Sequence, residues 1–260
     1  MGILNTTPDS FYDGGRYSGV DDALKQAGRM IREGADFIDV GGYSSRPGAD
    51  EVSVGEETRR VVPVVEALRA AYPDTPISVD TFRSPVAGAA LDAGAALVND
   101  ITAGLGDAEM LPLVASRQVP YIMMHMRGNP KSMQGLTAYD DLLQEVLYYF
   151  SERLQAARSL GVVDCIADPG FGFAKTREQN FELLARLQAF KILEVPILAG
   201  ISRKSMVYKT LGVRPEAALN GTTALHMAAL SNGAHILRVH DVREAVECVR
   251  LWLELSRGAP

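Results

Sequence analysis

Polar and charged residues recur along the sequence, each at the end of a short apolar run and before a loop. In the stretch DPGFGFAKT, residues 168–176, a run that includes Val162 and Ile166 leads to Asp168 and is stopped by Pro169. An apolar run that ends in a carboxylate is typical of a buried parallel strand whose last side chain reaches a pocket. Asp168 is therefore a candidate site residue.

The same pattern occurs in eight successive segments of the chain. One such residue carries little information, because turns and helix caps favour Asp and Asn. Eight segments that all end this way are not explained by capping, and Lys and Arg have no role as N-caps. The residues concerned are Asn5, Asp39, Asp80, Asn99, His125, Asp168, Lys204, Arg238 and His240.

The types of these residues indicate what they could bind. Asp80, Asn99 and Asp168 offer acceptors and an amide, and Lys204 offers a donor. A carboxylate accepts two parallel N–H bonds from an amidine-like edge, so this set suits a flat heterocycle that carries such an edge. Arg238 and His240, together with a third basic residue at position 46, form a cationic set suited to phosphate.

The first long loop, residues 6–19, adds candidate ligands for a metal ion. It is rich in Pro, Asp, Ser and Gly and is long for a connection between a strand and a helix; such loops are usually functional. Its carboxylates Asp9 and Asp13, with Asn5 before it, could hold Mg²⁺, which takes few protein oxygens and the rest from phosphate and water.

Alternating strand and helix patterns must position these residues. Strands are predicted at 2–5, 37–40, 77–80, 95–101, 119–124, 162–168, 196–200 and 236–239, and helices at 21–33, 55–71, 84–93, 107–116, 139–160, 177–189, 204–211, 215–232 and 242–255. Eight such units in 260 residues predict a single-domain (β/α)₈ TIM barrel, whose catalytic residues lie at the carboxyl ends of the strands. The rival is a doubly wound sheet, whose dinucleotide version needs a GxGxxG motif that is absent after the first strand.

The composition is that of an ordinary globular protein with 47% hydrophobic and 22% charged residues. Its net charge of −6 argues against non-specific binding to nucleic acid or a membrane surface. No apolar run of 18 residues and no signal pattern occurs, and Cys165 and Cys248 are too few for a disulfide framework or a zinc site. We expect a cytoplasmic protein.

Several conspicuous residues are better explained by packing than by chemistry. Cys165 lies inside a predicted strand and is expected to be a buried, inert thiol. His226 and His235 lie away from strand ends, which favours a packing role. Asp39 precedes two glycines, and an alternative role for it is to orient the second loop, residues 41–50.

The chain resembles the dihydropteroate synthase family over essentially its whole length. The matching stretches keep the family's order and spacing. They are GILNTTPDSFYDGG (2–15), DVGGYSSRPGA (39–49), ISVDT (77–81), LVNDI (97–101), MHMRGNP (124–130), DPGFGFAKT (168–176), GISRKSM (200–206) and RVHDV (238–242).

The resemblance implies a (β/α)₈ barrel that joins 6-hydroxymethyl-7,8-dihydropterin diphosphate to 4-aminobenzoate, giving 7,8-dihydropteroate and pyrophosphate. It also implies a role for each matched position. By this resemblance, the pterin is bound by Asp80, Asn99, Asp168 and Lys204, and the diphosphate is bound by Ser45, Arg238 and His240. Mg²⁺ is bound by Asn5, and aminobenzoate contacts Phe173 and Ser205. Two loops that carry Phe11, Asp13, Arg46 and Pro47 complete the site.

The chain departs from the family pattern in three places. The second loop reads YSSRPG instead of ESTRPG, so Tyr43 replaces an acid and Ser45 a threonine. The first loop reads NTTPDSFYDGG instead of NVTPDSFSDGG. Because family members carry residues before the first strand and Met1 lies inside it, we expect the native start to lie upstream.

Two other functions fit parts of the pattern. A pterin-binding methyltransferase domain that acts on methyltetrahydrofolate would share the carboxylates, but it has no use for a diphosphate site or two long loops. A catalytically dead pterin-binding paralogue would have no need of Asn5, Asp13, Arg46, Lys204 and Arg238, which are all present. A homodimer through the last helices is implied by the resemblance alone.

Overall fold

The structure is a computed structural model that describes residues 1–6, 16–43, 52–129 and 132–258. Strands and helices alternate along the described residues. The strands are β1 (Gly2–Asn5), β2 (Ile38–Gly41), β3 (Ile77–Asp80), β4 (Leu97–Asp100), β5 (Tyr121–Met124), β6 (Cys165–Asp168), β7 (Leu198–Ala199) and β8 (Ile236–Leu237). The helices are α1 (Arg16–Arg32), α2 (Val54–Ala71), α3 (Ser84–Asp92), α4 (Met110–Arg117), α5 (Leu142–Ser159), α6 (Arg177–Ala185), α7 (Ser205–Leu211), α8 (Leu219–Ser231) and α9 (Val242–Arg257).

The chain divides into two compact units. The first unit contains residues 1–124 and 153–165, and in it β1 to β5 are neighbours in chain order with every pair parallel. The second unit contains residues 125–152 and 166–260, and in it Ala167 of β6 bridges Ile197 in parallel and β7 pairs in parallel with β8. Parallel neighbours joined by helices are the arrangement that the sequence predicts.

The register of the first unit aligns four residues at the carboxyl ends of their strands. Asn5 pairs with Gly41, Gly41 with Asp80, and Asp80 with Asn99. Residues in register on parallel strands point to the same face of the sheet. Three predicted site residues therefore share one row, with a glycine in their midst.

The strands are buried on both faces, as their nearly continuous apolar runs predict. Leu4, Val40, Val79 and Val98 have no exposed surface in the first unit. In the second unit the rings of Phe150 and Phe190 pack edge to face with their centroids 6.0 Å apart. Apolar strands under amphipathic helices supply most of the free energy that holds such a fold together.

The largest differences from the predicted helix bounds occur at three places, and α4 and α5 also begin three residues later than predicted. Helix α1 begins at Arg16, so the predicted N-cap at Asp21 or Asp22 is wrong; the helix runs through Gly19, which the sequence pattern placed in the loop. The predicted helix 177–189 ends at Ala185 and continues as a 3₁₀ segment, Leu187–Leu193.

The third difference concerns the predicted helix 215–232, which is a 3₁₀ turn, Pro215–Ala217, followed by α8. Proline has no N–H to donate and favours the first turn of a helix, so a short separate turn satisfies it. Proline is nevertheless tolerated inside α2, which continues through Pro63 to Ala71.

A buried ion pair joins α2 to the segment that follows β3. The Glu57 side chain has no exposed surface, and its Oε2 accepts from Arg83 at 2.7 Å while its Oε1 accepts from the Thr81 hydroxyl at 2.6 Å. Arg83 also donates to the carbonyl of Val52 at 2.6 Å. Since Thr81 directly follows Asp80, this ion pair fixes the backbone next to a predicted site residue.

We expect Glu57→Ala to lower the free energy of unfolding by about 3 kcal/mol, because it leaves the half-buried Arg83 guanidinium without its counter-charge. The neighbouring Glu56→Ala is the matched control: Glu56 pairs with Arg59 and Arg60 in solvent, and such pairs contribute less than about 1 kcal/mol. Urea denaturation of both variants measures the difference, and equal losses would contradict this role of Glu57.

Candidate active site

In the first unit, a buried hydrogen bond fixes the orientation of Asn99. Its Nδ2 donates to Oδ2 of Asp39 at 3.0 Å, and both residues are buried. A carboxylate can only accept, so the amide nitrogen must face Asp39 and the amide oxygen must face away from it. Asn99 is thereby set to offer an acceptor to a ligand.

The structure corrects one expectation for Asp39. The residue lies inside β2, in register with Ser78, and not at the strand end. Its alternative role in orienting the second loop stays a prediction, because residues 44–51 lie outside the described residues. Its carboxylate accepts from Asn99. The sequence could not show this, because the two side chains meet only through the register of three parallel strands.

Asp80 and Asn5 lie at the ends of their strands, as predicted, and both are half-buried. Gly41 stands between them in the register, and a Cβ added there would lie 3.5 Å from Oδ2 of Asp80. The glycine therefore leaves the space beside this carboxylate open.

Tyr43, which the sequence left unexplained, packs against residues that follow β3. Its ring meets that of Phe82 edge to face at 5.2 Å between centroids, and the Arg83 guanidinium lies 5.2 Å from the Tyr43 centroid. A cation over a tyrosine face is a favourable contact. Tyr43 thus replaces the acid of the usual motif with an aromatic contact to a cation.

In the second unit, Asp168 is the last residue of β6 and is buried. Its Oδ1 accepts from the Gly170 N–H at 2.8 Å. Burial raises the pKa of this carboxyl, and Lys204, the Gly170 N–H, Arg238 and Lys175 oppose that rise. These positive groups favour the carboxylate form, the one that accepts two N–H bonds from an amidine-like edge.

Lys204 lies just before α7, and its ammonium reaches back to the loop after β6. Its Nζ donates to the Phe171 carbonyl at 2.6 Å and lies 5.0 Å from the centroid of the Phe173 ring. Ser205 is the first residue of α7. The predicted aminobenzoate residues, Phe173 and Ser205, therefore flank a lysine predicted to bind the pterin.

The segments after β7 and β8 are tied to each other by two adjacent contacts. The hydroxyl oxygen of Ser202 accepts from the His240 N–H at 3.1 Å and lies 3.1 Å from its Nδ1. Arg203 makes a two-pronged pair with Asp241, with both N–O distances 2.8 Å. Arg203 directly precedes Lys204, and Asp241 directly follows His240. These contacts therefore fix the positions of Lys204 and His240 relative to each other.

Sequence reasoning missed Lys175, although it lies within DPGFGFAKT. Lys175 is buried, and its Nζ lies 2.9 Å from Nδ1 of His125, which follows β5. Thr176 and Gln179 then form the capping box that opens α6. Two glycines at alternate positions, 170 and 172, shortly before a lysine were the available signal.

His125 is held in its neutral form in this arrangement. Burial, with the charges of Lys175 and Arg127, lowers its pKa to about 2. Its ring is packed edge to face on Tyr149 at 4.8 Å. His125 is therefore a neutral acceptor beneath the loop.

Five predicted site residues, Phe11, Asp13, Ser45, Arg46 and Pro47, and the candidate ligand Asp9 lie outside the described residues. In the described part of the chain, no three His, Cys, Asp or Glu side chains form a group that could hold a metal ion. Asn5 remains, with an amide oxygen suited to a hard cation.

Cys165 and His226 are buried, as a packing role requires, whereas His235 is exposed. Cys165 and Cys248 are free and buried, and burial raises the pKa of each thiol, so neither is an activated nucleophile. His226 is buried on α8, and Nδ1 of His235 accepts from the Ile197 N–H at 3.1 Å. Over the described ranges, no helix is both long and apolar enough to cross a membrane.

A separate cavity of about 610 Å³ lies beside the residues that precede β7 and β8, including Pro196 and His235. It contains none of the predicted site residues. In barrels of this kind, chemistry takes place at the carboxyl ends of the strands, and the amino ends serve stability.

Known proteins with the same motifs match almost the whole chain. A dihydropteroate synthase from Synechocystis is 47% identical over 254 residues, which cover 96% of this chain and 88% of the relative. A dihydropteroate synthase from Escherichia coli is 47% identical over 253 residues, which cover 96% of this chain and 89% of the relative. A family model for pterin binding enzymes matches residues 1–240.

The chain belongs to the pterin binding enzyme family. Among solved structures, a Clostridium difficile dihydropteroate synthase determined with pteroic acid matches with a TM-score of 0.93 at 40% identity, covering 99% of this chain and 96% of that one. A Xanthomonas albilineans dihydropteroate synthase with 4-aminobenzoic acid matches with a TM-score of 0.92 at 43% identity, covering 100% and 93%. The likeness to these pterin binding enzymes confirms the predicted fold class, a (β/α)₈ TIM barrel.

The pKa of His125 predicts how stability depends on pH. An unfolded histidine has a pKa near 6.5, so its contribution is complete above that pH and is lost as the pH falls towards 2. We expect the free energy of unfolding to fall by about 1.4 kcal/mol per pH unit from this residue between pH 6 and pH 4.5. His226, whose pKa burial lowers to about 4, adds to the slope in the same window.

His125→Asn tests this, because the asparagine oxygen can take the place of Nδ1 as acceptor from Lys175 but cannot titrate. Urea denaturation at several pH values should give a slope shallower by about 1.4 kcal/mol per pH unit than in the wild type. Identical slopes would show that His125 is not held neutral.

Proposed function

We propose that this chain is a dihydropteroate synthase, which joins 6-hydroxymethyl-7,8-dihydropterin diphosphate to 4-aminobenzoate and releases 7,8-dihydropteroate and pyrophosphate. The observation that carries the proposal is the 47% identity to enzymes of that name along 96% of the chain. Structures of similar enzymes contain 4-aminobenzoic acid, pteroic acid and 7,8-dihydropteroate. The chain is a transferase of folate biosynthesis.

The pterin binds to Asp80, Asn99, Asp168 and Lys204. Asp168 supports this role because it is the buried last residue of β6, and its carboxylate can accept two N–H bonds from the amidine-like edge of the ring. Asn99 supports it because Asp39 leaves its amide oxygen available as an acceptor. Lys204 donates to acceptors of the ring.

The diphosphate binds to Arg238, His240 and Ser45, with Arg46 completing the cationic side. The register of β7 and β8 supports this, because Ser202 and Arg203 hold the segment that carries His240 next to Lys204. Asn5 would hold Mg²⁺, which would supply positive charge to neutralise the leaving group.

The reaction is a substitution at the pterin methylene carbon. The amine nitrogen of aminobenzoate forms a bond to this carbon, the carbon–oxygen bond to diphosphate breaks, and pyrophosphate leaves with the bonding electrons while the amine loses a proton. Because an aromatic amine is a weak nucleophile, the protein's main task is to stabilise the leaving group and the cation that develops on the pterin. This favours a dissociative path.

The remaining residues complete the site around the second substrate. Phe173 and Ser205 bind aminobenzoate; in support, they flank Lys204 at the pterin. The loop residues Phe11, Asp13, Arg46 and Pro47 act at the reacting atoms, with Asp13 facing the developing cation. Residues 1–260 belong to one pterin-binding domain, which the single family match to residues 1–240 supports.

The active protein is a cytoplasmic homodimer. Two free, buried cysteines suit a reducing compartment. Helix α9 exposes Leu251 and Leu255, which lie one turn apart on the same face, and exposed apolar residues of this kind mark protein–protein interfaces.

Release of pyrophosphate from dihydropterin diphosphate tests the function. The wild-type protein should release pyrophosphate and form dihydropteroate only when 4-aminobenzoate and Mg²⁺ are present. Methyl transfer from methyltetrahydrofolate without pyrophosphate release would favour the methyltransferase alternative. Pterin binding without any turnover would indicate a catalytically dead paralogue.

We expect Asp168→Asn to weaken pterin binding by about 2–3 kcal/mol, because an amide cannot accept two charge-assisted N–H bonds. This corresponds to roughly a 30- to 150-fold rise in Kd, measured by calorimetry. Asp164→Asn, at the exposed start of the same strand segment, is the control and should bind as the wild type does. Equal affinities in both variants would remove Asp168 from the pterin site.

Asp13→Ala should lower kcat by roughly tenfold or more, which is at least about 1.4 kcal/mol, while pterin affinity stays near wild type. An interaction that forms only in the transition state lowers the barrier without tightening substrate binding. Steady-state kinetics with Asp21→Ala as an exposed acidic control measures the effect. A normal kcat would return Asp13 to the role of a solvated turn residue.

A further inference from the structure

The loop that joins β6 to α6 has an unusual backbone. Gly170, Gly172 and Ala174 have φ values of 70°, 84° and 49°, so every second residue is left-handed. Such a conformation is easy for glycine but costs about 1 kcal/mol or more for alanine. It persists only where the surroundings hold it.

Side chains hold this loop through its carbonyl groups. Lys175 Nζ donates to the carbonyls of Gly170 at 3.1 Å and Phe173 at 3.0 Å. Lys204 Nζ donates to Phe171, and the Tyr139 hydroxyl donates to Ala174 at 2.9 Å. Four carbonyl groups of a five-residue segment are thus bound by side chains.

Lys175 has no proton left for a substrate. Its ammonium carries three N–H groups, and it has three acceptors: two carbonyls and Nδ1 of His125 at 2.9 Å. Its exposed fraction is 8%, so it does not reach a ligand as Lys204 can. By its described contacts, Lys175 therefore acts on the loop carbonyls and on His125.

We propose that Lys175 is a positioning residue whose ammonium sets the place of the Phe173 ring and thereby the affinity for 4-aminobenzoate. The inference rests on the proposed function, in which Phe173 contacts this substrate. Lys175 binds the carbonyl of Phe173 and, through Gly170, the turn that starts the loop. Asp168 keeps its bond to the Gly170 N–H and its interaction with Lys204, so the pterin depends on Lys175 less.

The three acceptors also make this role dependent on pH. A neutral amine has only two N–H groups and cannot serve three acceptors. Burial lowers the pKa of Lys175 to about 7, and the positive charges of Lys204 and Arg127 lower it further, whereas Asp168 raises it. His125 adds no charge, because it is neutral. The contacts of Lys175 are complete below pH 7 and lose one donor as the pH rises above it.

Lys175→Met tests the inference, because methionine fills similar space without a donor. At pH 6.5 the KM for 4-aminobenzoate should rise at least tenfold, while the KM for the pterin diphosphate changes less than threefold. Lys209→Met, at an exposed lysine on α7, is the matched control and should change neither. A fall in kcat with both KM values unchanged would mean that Lys175 only supports folding, and would overturn the proposal.

The pH profile is a second, independent measurement. With saturating pterin diphosphate, the wild-type KM for 4-aminobenzoate should rise as the pH increases from 6 to 8.5, and in Lys175→Met it should be flat. Should that variant fail to fold, a flat wild-type profile would by itself overturn the proposal. A wild-type protein without turnover would refute the proposed function, and this role with it; normal wild-type turnover with an unchanged Lys175→Met would refute the role alone.

Discussion

The register of parallel strands is the constraint on which the rest of the structure depends. Asn5, Gly41, Asp80 and Asn99 are aligned across four strands, so each polar side chain joins the row because it is the last or next-to-last residue of its own strand. A slip of one residue in any strand would turn its side chain to the other face. The buried apolar runs prevent such a slip, so the core that stabilises the fold also aligns the site.

In both units, buried charged side chains lie beside groups of opposite charge. Glu57 and Arg83 neutralise each other beside β3, and Asp168 is surrounded by Lys204, Arg238 and Lys175 at β6. Isolated buried charges would be too costly, whereas paired ones hold specific backbone segments in place. Each of these pairs adjoins a residue to which we assign a role in pterin binding.

The strand order and most strand ends were predictable because both depend on local signals: apolar runs, turn residues and polar residues at fixed places. The start of α1 was not predictable from the sequence, because Gly19 is typical of a loop. It is helical because the residues on both sides of it are helical. The contacts of Asp39, Tyr43 and Lys175 could not be predicted from the sequence either. Each depends on a partner between 39 and 60 residues away, and no local pattern encodes such a distance.

The loop after β6 separates the shape of the backbone from the identity of the side chain it presents. Lys175 holds Phe173 through its carbonyl group, which every amino acid possesses. Substitutions at this position can therefore alter the surface offered to a ligand without dismantling the loop. A scaffold of this kind lets ligand preference drift by single replacements during evolution, while the costly left-handed turns around it stay unchanged.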